Sequence, residues 1–140
     1  MMIRLSDTSL PEVKKALEWI QEQTFPADAP LDVNRGWWWI ARDGEIPAAF
    51  AAMTVVTSWE NTVYMARCGV LTKYRGQGLQ RKMLERREKY AKGLGYERAI
   101  TTTLNNPKSA NNLIARGFIT YSPQLKWGCA DTIYWFKQLK

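Results

Sequence analysis

The sequence predicts one α/β domain over residues 1–140, with a central mixed sheet and helices on both faces. The chain has 140 residues, 46% of them hydrophobic, which is enough for one buried core and short for two. Runs with strand character alternate with runs of helical periodicity from end to end. The run Trp37-Trp38-Trp39-Ile40-Ala41 is apolar at every position. Successive side chains of a strand point to opposite faces, so such a strand is covered on both sides.

Each element follows from local chemistry. MIRLSD alternates and reads as a first strand. Thr8 or Ser9 can cap a helix through PEVKKALEWIQEQ, with Leu10, Val13, Leu17 and Ile20 as its buried stripe. TFPADAPLDVNRG is rich in Pro, Asp and Gly and reads as a loop with at most a short helix. Three strands follow in meander order: WWWIA, the Asp43-Gly44 turn, PAAFAAMTVV, a turn around WENT, and VYMARCGVL. For Trp37, Trp38 and Trp39, packing in the core is favoured over stacking on a ligand.

After the stretch RGQGLQ, residues 75–80, comes a helix with the apolar stripe Leu79, Met83, Leu84, Tyr90, Ala91 and Leu94, which Gly93 with Gly95 can end. The segment from Arg98 to Leu104 is β-branched and reads as a strand. Asn106 can cap a third helix, with Pro107 at its first position and Gly117 at its left-handed end. FITYSP and TIYWFKQL are the last two strands, joined by a loop containing Trp127 and Cys129.

Composition excludes several chemistries. The chain has no His and two Cys, which removes zinc sites, Ser/His/Asp triads and Cys/His nucleophiles. Cys68 lies in an apolar strand and reads as a small buried thiol, and two cysteines make no disulfide framework. The longest apolar run, IPAAFAAMTVV, contains Pro47 and falls short of the roughly 20 residues that cross a bilayer. The start lacks the apolar core of a signal peptide, so a cytoplasmic location without a membrane partner is expected.

Charge is unevenly placed. Residues 1–66 hold five Lys/Arg against nine Asp/Glu, a net −4, whereas residues 67–140 hold fifteen against four, a net +11. From Thr72 to Arg98 there are nine basic and three acidic residues. Within that basic stretch, a strand feeds the glycine loop and then a helix, which presents free backbone N–H groups at the positive end of a helix dipole. The loop therefore faces an anion, most simply phosphate. It lacks the lysine and hydroxyl of a GxxxxGK loop, and Arg81 stands where a dinucleotide fingerprint has its third glycine.

RGQGLQ following CGVLTKY resembles motif A of the GNAT superfamily of N-acetyltransferases, R/Q-x-x-G-x-G/A. Arg75, Gly76, Gln77, Gly78 and Leu79 fit it, and Gln80 departs where the motif has Gly or Ala. NNPKSANNLIARGF is similar to the family's second signature, N-x-x-S/A followed by a helix and G-F, with Asn106, Ser109, Gly117 and Phe118 on the marked positions. The order of elements matches almost the whole chain.

The resemblance implies a GNAT-like, mainly antiparallel mixed sheet and transfer of acetyl from acetyl-CoA to a primary amine by direct attack in a ternary complex, without a metal. It assigns the loop amides of residues 75–80 to the coenzyme A pyrophosphate. It assigns the backbone of Val70 and Leu71 to the pantetheine arm and the thioester carbonyl, with Asn106 and Ser109 in the cofactor set. Gln80, compatible with a helix, is expected to point outward and leave the amides free.

Two participants common in the family are absent. Tyr64 stands where many members have a glutamate base, and Leu113 where many have a tyrosine acid. Tyr64 and Tyr121 remain as catalytic candidates, beside the alternative that an amine of low pKa is simply positioned. The acidic loop residues Asp28 and Asp32 point to a cationic acceptor. Two other readings stay open: a nucleic-acid binder or nucleobase-modifying enzyme using the basic helix 81–92, and a CoA-binding module without catalysis. A second copy of the chain is a further partner compatible with the sequence.

Overall fold

The computed structural model describes residues 1–140. Its strands are β1 Met2–Ser6, β2 Trp37–Asp43, β3 Ile46–Val55, β4 Thr62–Val70, β5 Arg98–Thr103, β6 Ile119–Tyr121 and β7 Ile133–Gln138. The helices are α1 Pro11–Thr24, α2 Leu79–Gly93 and α3 Pro107–Ala115. The strands form one mixed sheet in the order β1-β2-β3-β4-β5-β7-β6. β4 and β5 run parallel, and β1/β2, β2/β3, β5/β7 and β6/β7 pair antiparallel. The chain divides into two compact units, residues 1–54 with 66–84 and residues 55–65 with 85–140, so β4 and α2 each run through both.

In the first unit, Val13, Leu17 and Ile20 of α1 pack with Trp38, Ile40, Phe50 and Ala52. The rings of Trp38 and Phe50 stack with centroids 6.0 Å apart. Trp39, Ala41, Ala49, Ala51 and Met53, on the opposite face of β2 and β3, are buried as well. Both faces of these strands are thus covered, as the apolar run required.

Gly69 fixes how α1 meets β4. A Cβ there would lie 2.6 Å from Thr24 Oγ1 and 2.7 Å from the Phe50 ring, so any larger residue would push the last turn of α1 away.

The start of α1 differs from the sequence expectation. Leu10 is its N-cap, with no side-chain cap, and Pro11 opens the helix. The Asp7 carboxylate instead accepts from the Ser9 N–H at 3.0 Å and the Ser9 hydroxyl at 2.6 Å. These bonds hold Asp7 below the usual carboxylate range. Leu10 precedes the helix and is exposed, so it leaves the buried stripe. Gln21 joins the buried side instead, and its Oε1 accepts the Leu31 N–H at 2.9 Å, tying the following loop to α1.

In the second unit the β4–β5 ladder covers three residue pairs, Thr62–Tyr64 with Arg98–Ile100. Beyond it side chains take over: the Thr101 hydroxyl donates to Met65 O at 2.7 Å, and Tyr64 Oη and Thr102 Oγ1 are 2.8 Å apart.

Helix α2 ends in a Schellman motif. Gly95 at φ +95° lets its N–H reach Lys92 O and the Tyr96 N–H reach Ala91 O, each at 3.0 Å. Leu94 lies past the helix and is exposed, and Leu104, beyond β5, is exposed too, so both depart from expectation.

The buried face of α2 carries Arg87 and Glu88, which an apolar stripe did not anticipate. Glu88 accepts from Arg116 Nε at 3.0 Å and also pairs with Lys137 Nζ. The bond to Glu88 raises the Arg116 guanidinium further above its usual value. Helix α3 is capped as expected: Asn106 Oδ1 accepts the Ser109 N–H at 3.1 Å, and Gly117 at φ +86° closes the far end. Cys68 and Cys129 are free thiols, and Cys68 is half-buried where a fully buried thiol was expected.

Candidate active site

The glycine loop belongs to the first unit. After β4, a 3₁₀ turn over Thr72–Tyr74 is closed by the Tyr74 N–H on Leu71 O at 2.9 Å. The Tyr74 hydroxyl donates to Asp43 Oδ2 at 2.9 Å, which anchors this turn to the end of β2. Gly76 and Gly78 follow with φ of +79° and +75°. Both face open space, so left-handed backbone geometry, not crowding, calls for glycine there.

The amides of Gly76, Gln77, Gly78 and Leu79 have no acceptor within the chain, and α2 begins at Leu79. These are four donors without an internal acceptor at the N-terminus of a fifteen-residue helix, an arrangement suited to an anion. Lys73, Arg75 and Lys82 bring positive charge around it, and Arg75 Nε donates to Val70 O at 3.3 Å. Gln80 is half-buried as the second residue of α2.

One expected donor is removed. The Leu71 N–H is committed to Ala48 O at 2.9 Å, so the sheet uses that donor, while Leu71 O accepts one bond from Tyr74 and keeps a second lone pair. This corrects its assignment as a donor to the pantetheine arm. By alternation along the strand the Val70 N–H points to the opposite edge and keeps that capacity.

The tyrosine candidates belong to the second unit, where Tyr64 and Tyr121 line one cavity of about 900 Å³. Trp59, Leu125, Trp127 and Val56 complete much of its wall, and Ser58, Ser122 and Gln124 supply its neutral polar groups. No Asp, Glu, Lys or Arg lines it. The Tyr64 hydroxyl is engaged with Thr102. The Tyr121 ring sits edge-on to Phe136 at 5.6 Å and Tyr134 at 6.3 Å, and its hydroxyl makes no hydrogen bond within the chain. Burial pushes the Tyr121 phenol above its ordinary 10, and Tyr134 and Tyr64 act in the same direction. At neutral pH it is a protonated donor.

The loop that closes this cavity is held by Tyr134. The Tyr134 Oη accepts the Gly128 N–H at 2.8 Å, and its ring meets Trp127 edge-on at 4.7 Å. Trp59, Leu125 and Trp127 were missed as site residues because they lie in loops without periodicity. The available signal was an exposed Trp in a polar, Gly-containing loop. Asn106 and Ser109, also in the second unit, bond to each other in the cap of α3. Asp28 and Asp32 lie in the loop after α1, where the Asp32 carboxylate accepts the Asn34 N–H at 2.9 Å.

No helix is long and apolar enough to cross a membrane. No curated protein sequence matches the chain. Solved structures do. The protein yncA of Salmonella typhimurium, solved with its cofactor acetyl-CoA, superposes with a TM-score of 0.75 at 19% identity, over 100% of this chain and 94% of that one. An acetyltransferase of Bacillus subtilis in complex with CoA gives 0.72 at 18%, over 97% of each chain. The ribosomal-protein-S18-alanine N-acetyltransferase of Escherichia coli gives 0.74 at 17%, over 99% of this chain and 94% of that one. These likenesses are of fold. The model of the acetyltransferase (GNAT) family matches residues 3–118, a span that takes in the glycine loop, the cap of α3 and Phe118, and the chain belongs to that family.

Proposed function

We propose that this protein is an N-acetyltransferase that moves an acetyl group from acetyl-CoA to a primary amine by direct attack in a ternary complex. The observation that carries the reading is the row of four unpaired amides from Gly76 to Leu79, framed by two left-handed glycines at the start of α2. Open space beside both glycines and the basic surroundings fit a pyrophosphate. Structures of the same fold with acetyl-CoA and CoA support the choice of donor.

Bound acetyl-CoA supplies an activated acetyl thioester. The chain's own part is placement and proton handling. The Val70 N–H is positioned to donate to an oxygen. Tyr121 Oη, protonated and without an internal partner, is the group that gives a proton to the departing sulfur. Tyr64, tied to Thr102, orients the acceptor.

CoA at 100 times its Kd should stabilise the protein by about 2.7 kcal/mol, read as a rise in Tm. Absence of any stabilisation by CoA or acetyl-CoA would sink the proposal.

Two substitutions test individual roles. Tyr121→Phe is expected to lower kcat about 100-fold with little change in KM for acetyl-CoA. A general acid loses activity as pH rises through its pKa. Because the Tyr121 pKa is raised, the wild-type rate should show no alkaline decline from this group below its ordinary 10. Gln80→Ala should leave the CoA Kd, measured by calorimetry, within about threefold of wild type, since Ala and Gln are both good helix formers. A tenfold tightening would mean that Gln80 obstructs the cradle.

A further inference from the structure

The cavity of the second unit narrows the acceptor beyond "a primary amine". Four aromatic rings, Trp59, Tyr64, Tyr121 and Trp127, line it, together with Leu125, and it encloses about 900 Å³. Such a wall receives a flat apolar body, through ring contacts and area removed from water. The polar groups in the wall are neutral, and the titratable ones are Tyr64 and Tyr121 alone. Tyr134 stands behind Tyr121, and the guanidinium of Arg98 lies over the Trp59 ring at 4.8 Å. A cation entering this cavity would therefore meet no carboxylate in its wall, and the guanidinium of Arg98 behind Trp59 is itself paired with Glu97 at 3.6 Å.

The same inventory constrains the reaction. An alkyl ammonium titrates near 10.4, as the lysine side chain does, so on the order of one molecule in 10³ is neutral and nucleophilic at neutral pH. An enzyme for such acceptors gains from a base that strips the proton. Here the chain has no His, no Asp or Glu lines the cavity, and the Tyr121 phenol is held above its usual range. An aromatic amine needs no base, because conjugation with the ring draws off the nitrogen lone pair and leaves the group uncharged at pH 7.

We infer that the acceptor is an arylamine: a primary amine attached directly to an aromatic ring, seated among Trp59, Trp127 and the two tyrosines. This rests on the acetyltransferase reading above and deepens it. The nitrogen lone pair forms the N–C bond to the acetyl carbon, and the C–S bond breaks with its electron pair on sulfur. Sulfur takes a proton from Tyr121, which regains one from the nitrogen through water. The products are the N-aryl acetamide and CoA with a free thiol.

The test compares, by CoA thiol release with product mass, three arylamines of increasing size (p-toluidine, 2-naphthylamine and 2-aminofluorene) with benzylamine, spermidine and an alanine-terminated peptide. The intact protein is used, and its Kd for acetyl-CoA is measured separately. The best arylamine should exceed each alkylamine at least tenfold in kcat/KM at pH 7.5. Its rate should be flat from pH 6.5 to 9, whereas any benzylamine rate should climb about tenfold per pH unit. Trp127→Ala, at an exposed loop position, should raise KM for the arylamine about tenfold, a loss within the range of one aromatic contact, and leave the acetyl-CoA Kd unchanged.

If acetyl-CoA binds and benzylamine, spermidine or the peptide is acetylated as fast as the best arylamine, or no arylamine is acetylated, the inference falls while the donor site stands. An unchanged KM in Trp127→Ala overturns the placement. If acetyl-CoA does not bind, the acetyltransferase reading itself fails.

Discussion

The Gly76→Ala/Gly78→Ala double variant is expected to bind CoA on the order of 100-fold more weakly than wild type. Both glycines sit at φ near +75 to +79°, where a Cβ meets its own carbonyl at a cost of about 1–2 kcal/mol per residue. The loop relieves that cost by rotating toward negative φ. Rotation turns the amides of Gly76 to Leu79 away from a common point, so binding must first restore the strained form. Two such residues cost about 2–4 kcal/mol, and each 1.4 kcal/mol is tenfold in Kd.

Gly44→Ala is the matched control. Gly44 has φ +60° and also faces open space, but it lies in the β2–β3 turn. It should lower Tm by a similar strain while leaving the CoA Kd unchanged. Calorimetry that finds the double variant within threefold of wild type would remove the loop from the donor site.

Glu88→Ala should destabilise the protein by about 3 kcal/mol, at the low end for breaking a buried ion pair. The Glu88 side chain is 6% exposed and binds both Arg116 and Lys137, which come from the end of α3 and from β7. Its removal strands two cations in a site that excludes most water. They are 29% and 24% exposed, so both can turn partly outward, which limits the loss. For a chain of this size the change corresponds to roughly a 10 °C fall in Tm. Replacing Glu88, Arg116 and Lys137 together by apolar residues of similar volume should cost far less, because no charge is then left unpaired. A fall of under about 3 °C for Glu88→Ala would show that the trio contributes little.

Periodicity and turn chemistry made most elements readable. The strands of the meander, the cap at Asn106 and the closing Gly117 each depend on residues adjacent in the chain. The reading failed where an element's end was decided by what packs there. Leu10 and Leu94 have the right spacing for a buried stripe, yet each lies one residue outside its helix and faces water. Arg87 and Glu88 read as solvated charges but are buried, because Arg116 and Lys137, far away in sequence, supply Glu88's partners.

The glycine loop and the aromatic cavity divide along the same line. A tight turn with left-handed glycines before a helix is a local property, so RGQGLQ pointed to an anion, and together with NNPKSANNLIARGF and the order of elements it pointed to the family. The loss of Leu71 as a donor was not legible, because its N–H bonds Ala48 on a neighbouring strand, more than twenty residues earlier in the chain. Nor was the aromatic wall: Trp59, Tyr64, Tyr121 and Trp127 come from a turn, two strands and a loop, and share no spacing. By itself the sequence determined the fold class and the family, since periodicity, turn chemistry and the two motifs are each written in residues adjacent in the chain. Only the tertiary structure decided which backbone donors stay free and which side chains line the cavity, because those depend on residues that meet only when the sheet is assembled.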